Sequence, residues 1–282
     1  MKNRTLLFLM TEDTADAEVH QMAEYAVSEN AHLVCFLLSR IPTQPMNAHG
    51  AFPYGGYEIS DHWVEEVNSA RDRLKVRQDA LEALLQYEGV SAEVQFVLSS
   101  QPDVRVVVAR RALVCDVAIA SKSLRVAEDG LFRPALYGVL FDAPVGLMLN
   151  ATPIANPKRI FVAWDTELPA ARAIHAALPL LKQADEVIVG SFDPVAQEYE
   201  DGENPGSDLA KWLSHHGCKV TVNQYPSGGE IIGAAIQRRA AEIGADLVVM
   251  GAYGKSRLRE LVFGGTTHHM IIQTETPVFM AH

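Results

Sequence analysis

Residues 250–270 read MGAYGKSRLRELVFGGTTHHM, with Gly251 and Gly254 three apart and Gly264 and Gly265 paired ahead of Thr266 and Thr267. Glycine has no Cβ, so the backbone at such positions can turn sharply and come close to a ligand. A glycine–threonine step into a helix offers free N–H groups and the positive end of the helix dipole, which suit an anion and phosphate above all. Threonine hydroxyls there can cap the helix or donate to a phosphate oxygen. Both glycine clusters could face one polyphosphate, or they could do no more than shape a long loop and its cap. Two familiar phosphate patterns are excluded. A P-loop reading of GAYGKS needs glycine at position 249, which is Val249. A dinucleotide G-x-G-x-x-G fails because these glycines come late in their domain and with the wrong spacing.

The elements that would position these residues follow from apolar runs and their stops. The chain has 282 residues, 48% hydrophobic and 21% charged, enough for one large folded domain or two ordinary ones. TLLFLM (Thr5–Met10) resembles RIFVAW (Arg159–Trp164), and each is followed by a polar turn containing Thr-Glu. Helical patterns come next at Ala15–Glu29 and Pro169–Lys182, then strands at His32–Leu38 and Glu186–Phe192. Later CDVAIAS (Cys115–Ser121) matches ADLVVMG (Ala245–Gly251), and DAPVGLML (Asp142–Leu149) matches TETPVFMA (Thr274–Ala281). The chain thus reads as a diverged internal repeat, with a Pro/Asn-rich linker at Asn150–Arg159 and a boundary near Pro153. The expected domains are residues 1–152 and 153–282.

Strands that are continuous apolar runs, alternating with helices, predict parallel sheets buried on both faces in a three-layer α/β sandwich. In the second half the predicted helices are Pro169–Lys182, Ser207–His216, Gly229–Ile243 and Thr267–Thr274, stopped by Gly217, Gly244 and Pro277. The first half carries an insertion near residues 46–87: a Gly/Pro/aromatic loop, Met46–Ser60, and a long amphipathic helix, Asp61–Tyr87.

The second half resembles the universal stress protein family, specifically its ATP-binding branch, which carries G-x2-G-x9-G-(S/T) after the fourth strand. Gly251-x2-Gly254-x9-Gly264 has that spacing, after an apolar strand and before a helix. The family's Ser or Thr is Gly265 here, with Thr266 one place later; a hydroxyl contact is either lost or supplied by Thr266. The resemblance covers residues 158–282 and, more weakly, 3–149. It implies a tandem pair of open parallel-sheet sandwich domains, each five-stranded in the order 3-2-1-4-5, adenine nucleotide alpha hydrolase-like. It implies ATP or another adenine nucleotide as ligand, with or without Mg2+. On this sequence the resemblance sets Asp165 against the ribose, Ala163 and Trp164 along the adenine, and the Phe192 backbone in adenine recognition. Met250 would supply an apolar wall. A carboxylate suits a ribose because it accepts from two vicinal hydroxyls; by position Asp165 can also cap the helix that Pro169 begins. Lys255, Arg257 and Arg259 would either neutralise phosphates or be solvated loop residues.

At the equivalent place the first half reads ASKSLRVAEDGLFRPAL: Ser121 and Leu124 replace the glycines, Pro134 removes an N–H, and Met10 or Thr11 stands for Asp165. That half is expected to bind no nucleotide in this mode, and the resemblance implies that it pairs with the second half, Val145–Leu149 against Val278–Met280, as the last strands of single-domain members do in their dimers. No Ser-His-Asp or Cys-His set can be assembled, and Glu260 is the only acid near the glycines, so at most slow ATP hydrolysis is expected. The net charge of −11 argues against nucleic acid as a partner. No apolar run approaches a bilayer span, and LLFLM reads as a strand rather than a leader. Three scattered cysteines, Cys35, Cys115 and Cys218, read as buried thiols of a cytoplasmic protein. The adjacent pairs His215-His216 and His268-His269 show no metal-ligand spacing. Three functions are compatible: a nucleotide-binding stress-response sensor, a weak ATPase, and a scaffold without nucleotide that docks through the 46–87 insertion. A homodimer or an unidentified protein partner is compatible with each.

Overall fold

A computed structural model of the chain describes residues 4–44, 60–151, 157–194, 204–254 and 265–282. Pro153 and most of the Met46–Ser60 segment lie outside the described residues. The first half runs β1 (Thr5–Met10), α1 (Asp16–Glu29), β2 (His32–Arg40), α2 (Asp61–Tyr87), β3 (Ala92–Ser99), α3 (Gln101–Ala112), β4 (Val117–Ala120), α4 (Lys122–Val126), α5 (Phe132–Asp142) and β5 (Gly146–Leu149). The second runs β6 (Arg159–Ala163), α6 (Leu168–Leu181), β7 (Glu186–Phe192), α7 (Ser207–His215), β8 (Val220–Tyr225), α8 (Ile232–Glu242), β9 (Leu247–Gly251), α9 (Thr266–Ile272) and β10 (Val278–Ala281).

The strands form one ten-stranded sheet in the order β3-β2-β1-β4-β5-β10-β9-β6-β7-β8. Each half is parallel throughout and has the expected 3-2-1-4-5 order. The halves join edge to edge, β5 antiparallel to β10, with Val278 opposite Leu149, Phe279 opposite Met148 and Met280 opposite Leu147. This pairing satisfies the backbone groups of two apolar edges at once. Gly146 is required there, because a Cβ on it would lie 2.0 Å from the ring of Phe279, a side chain with no exposure.

Side chains alternate across a strand, and the two faces of the sheet build two cores. One gathers Leu6, Phe8, Ile160 and Val162 under α1, α2, α6 and α7; the other gathers Leu7, Leu9, Phe161 and Met250 under α3, α4, α5, α8 and α9. Both cores run through both halves.

Helix α2 has 27 residues where its counterpart α7 has 9. It therefore serves as the β2–β3 crossover as well as being an extension, and Ala70, Leu74, Leu81 and Leu85 bury its inner face. Asn150, read as linker, is held by the second half: its Nδ2 donates to the carbonyls of Gln273 and Thr276 at 3.0 and 2.9 Å. All three cysteines are buried and unbridged. Burial pushes the Cys35 thiol up to about 12 and raises those of Cys115 and Cys218 as well. No helix among the described residues is long and apolar enough to cross a membrane.

Candidate functional site

In an open parallel sheet a crevice opens at the carboxyl ends of the strands where the connections leave in opposite directions. In the second half that place lies between β6, which leads to α6 on one face, and β9, which leads towards α9 on the other. Ala163 at the end of β6 pairs with Met250 in β9 and with Gly190 in β7. The sequence-expected residues Ala163, Asp165, Phe192, Met250, Gly251, Gly254, Gly265 and Thr266 all fall on this edge. Gly264, Lys255, Arg257, Arg259 and Glu260 lie outside the described residues.

The two glycines of GAYG differ in what requires them. A Cβ on Gly251 would stand 2.5 Å from the backbone nitrogen of Ala170 and 2.8 Å from the carbonyl carbon of Pro169. Glycine at 251 is thus demanded by the first turn of α6, which packs directly on the end of β9. At Gly254 a Cβ would meet nothing within 4 Å, and the backbone there is not left-handed. Neither packing nor conformation within the described residues explains glycine at 254.

Tyr253, between them, is left-handed at φ 55°, a conformation uncommon for a bulky residue. Its N–H donates to Thr267 Oγ1 at 3.0 Å, and both residues are buried. The spacing points to Thr266, but Thr267 is the hydroxyl that ties the loop to α9. Threonine directly after Gly-Gly was the available signal, but which of two adjacent hydroxyls turns inward depends on the helix phase. Helix α9 spans Thr266–Ile272 rather than Thr267–Thr274. It ends early because the Gln273 side chain accepts from the N–H of Glu275 and Thr276 and turns the chain into β10. With 7 residues α9 has a weak dipole, so its contribution at this edge is the individual N–H groups of its first turn. Gly265 caps it in extended conformation, and Thr266 is half-buried at its first position. Helix α8 supports α9 from beneath: a Cβ on Gly233 would lie 2.8 Å from that of His269.

Asp165 is exposed and its Oδ1 accepts the N–H of Glu167 at 3.1 Å, beside Thr166 at φ 64°. This is an Asx turn leading into α6 and not the helix cap expected from its position, because the N-cap is Glu167 and no side chain caps it. Trp164 and Ala163 do not share a side. Ala163, Met250 and Phe192 belong with the α8–α9 face, whereas Trp164 packs on the α6–α7 face. There its Cδ1 lies 3.6 Å from where Gly206 would carry a Cβ. Phe192 packs on Phe161 and Tyr225, with centroids at 6.3 and 5.5 Å. Asp193, which follows it, joins the ends of β7 and β8. Hydrogen bonds from the Ser227 side chain and backbone hold its carboxyl below the usual carboxylate range. No group of three or more His, Cys, Asp or Glu among the described residues could hold a metal ion.

The first half solves the same junction differently. Leu9 pairs with Ala120 as Ala163 pairs with Met250, so Thr11 occupies the place of Asp165. Ser121 stands where Gly251 does, and its hydroxyl caps α4 by accepting the N–H of Leu124 at 3.1 Å. Buried Thr14 and Ser121 and half-buried Ser123 form a hydroxyl cluster, and Thr14 Oγ1 also accepts the N–H of Thr11. Leu124, fully buried, stands at the place equivalent to Gly254. The first half thus has hydroxyls and a leucine where the second half has Gly251 and Gly254.

Residues 227–282 match the sequence model of the Universal stress protein family. Among solved structures, a universal stress protein from Archaeoglobus fulgidus DSM 4304 aligns at 17% identity over 98% of this chain and 95% of its own, with a TM-score of 0.64. A functionally unknown protein from Pseudomonas aeruginosa PAO1 aligns at 15% identity over 99% of this chain and 92% of its own, with a TM-score of 0.54. At these identities the likeness is one of fold, and it spans both halves. No curated protein matches the chain.

Proposed function

We propose that the chain is a nucleotide-binding regulatory protein, because residues 227–282 match the Universal stress protein model and both halves share the fold of a solved universal stress protein. In this reading the chain divides into residues 1–152 and 153–282, and only the second domain takes an adenine nucleotide, ATP in the first instance. The observation that carries this is Gly254, a glycine that neither its own φ nor any described neighbour requires. Glycine at such a position keeps a strand-end crevice open to a ligand that a side chain would obstruct.

The residues present fit that group. The N–H groups of Gly254, Gly265 and Thr266 supply donors for phosphate oxygens. Asp165 accepts from the ribose hydroxyls while keeping its bond to Glu167. Ala163, Met250 and Phe192 offer the apolar side for the base, and Trp164 closes the opposite face of the sheet under Gly206. A chain of net charge −11, with Asp165 and Asp193 at this edge, favours a polyphosphate that arrives with Mg2+. Occupancy of this site in the cytoplasm, rather than turnover, would be the signal read by a partner in the stress response.

The test is the nucleotide content of the purified protein, released by denaturation and identified by chromatography, together with ATP titration in Mg2+. Close to one ATP per chain is expected, and Gly254→Glu should lose it while unfolding at the same temperature. A wild-type chain that is empty and ignores added ATP would overturn the proposal.

A further inference from the structure

The crevice residues of the second half are held by the first. Tyr253, whose left-handed backbone sets the direction of Gly254, places its ring against two aromatic residues of α5. The centroids lie 5.1 Å from Phe141 and 6.2 Å from Tyr137. Phe141 in turn packs edge-on against His282 at 4.8 Å, and His282 Nδ1 is 2.7 Å from the carbonyl of Ala252. The α5 side of this cluster is itself fixed: Arg105 on α3 grips Asp142 with two hydrogen bonds of 2.6 and 2.9 Å.

A second attachment holds the far end of α9. Arg125 of α4 donates to the carbonyls of Ile271 and Gln273 at 2.6 and 2.8 Å, among the unsatisfied acceptors that every helix end presents. Its guanidinium also lies over the ring of Phe132, 5.7 Å from the centroid. Asn150 adds its two bonds to Gln273 and Thr276. Tyr253 and α9 are joined directly by the Tyr253–Thr267 bond. The Tyr253 turn and α9, on the β9 side of the crevice, therefore rest on α5 and α4.

We propose that the first half is the built-in regulator of the second half's nucleotide site: Phe141 and Tyr137 position Tyr253 and so Gly254, and Arg125 positions α9. This rests on the nucleotide reading above. By linkage, a change in how α5 or α4 packs changes nucleotide affinity, and nucleotide binding changes the packing of α5 by the same factor. A partner that engages α4 or α5 would act on the site without touching it.

The experiment uses the full chain, with ATP and Mg2+ as probe and calorimetry as readout. Phe141→Leu and Arg125→Gln are each expected to weaken ATP about tenfold, and Phe141→Tyr, which keeps the ring, to bind as the wild type does. Folded variants that bind ATP with unchanged affinity would overturn the proposal. If one variant does not fold, the other reads the same linkage. Hydrogen exchange at the Tyr253 amide separates this idea from the nucleotide reading, because it needs no ligand. Should the wild type bind no ATP, the earlier proposal fails. The positioning role then stands if Phe141→Leu or Arg125→Gln speeds that exchange about tenfold, and falls if exchange is unchanged.

Discussion

At the residue scale the two glycines of GAYG are not equivalent. Spacing alone treats Gly251 and Gly254 as equals; the backbone of α6 shows that they are not. Gly251→Ala drives a Cβ into the nitrogen of Ala170, and backbone yields less readily than the tip of a side chain. A loss of about 1–3 kcal/mol is expected, as for other overpacked sites, visible as a lower urea midpoint. Gly254→Ala should leave that midpoint where it is and weaken ATP binding. If instead the two variants lose stability equally, the distinction between them is wrong. Thr267 belongs to the same scale. Sequence placed a hydroxyl beside the glycines, and helix phase decided that the buried one, not Thr266, makes the bond to Tyr253.

At the element scale one junction is built in two ways. Where β9 meets α6 a missing Cβ lets backbone touch backbone; where β4 meets α1 the hydroxyls of Thr14, Ser121 and Ser123 bridge the gap. Ser121→Ala removes the cap of α4 and one member of that cluster. It should cost about 0.5–2 kcal/mol, read from the thermal midpoint, with nucleotide content unchanged. Nucleotide lost in that variant would mean that the first half takes part in binding. Strand periodicity also settles Trp164. Adjacent residues of an extended chain face opposite ways, so Trp164 cannot share a wall with Ala163.

At the scale of the whole molecule, the two halves are one sheet and share both cores. Their junction is short, three register pairs between β5 and β10, and it depends on Phe279 lying over Gly146. Gly146→Val would force that buried ring out of place. A loss of about 1–3 kcal/mol is expected, or roughly 2–4 °C per kcal/mol in a chain of this size. Because Tyr253 and α9 lean on the first half across this junction, the same variant should also weaken ATP. Stability lost with affinity intact would show that the halves are coupled mechanically but not functionally.

The sequence by itself determined what is local or repeated. Apolar runs marked the strands, glycine and proline marked most helix ends, and the resemblance carried by Gly251, Gly254 and Gly264 implied the strand order. The α9 limits were missed because the Gln273 side chain, not a glycine or proline, ends that helix. Which wall Trp164 joins follows from alternation once the end of β6 is known. Only the tertiary structure decided why Gly251 is glycine, where Arg125 reaches and what Tyr253 leans on. Those contacts join residues more than eighty positions apart, and those of Arg125 and Tyr253 also depend on how the two halves of the sheet meet at β5 and β10. Periodicity within one element carries no record of a neighbour that distant, so the first half's hold on the second is written only in three dimensions.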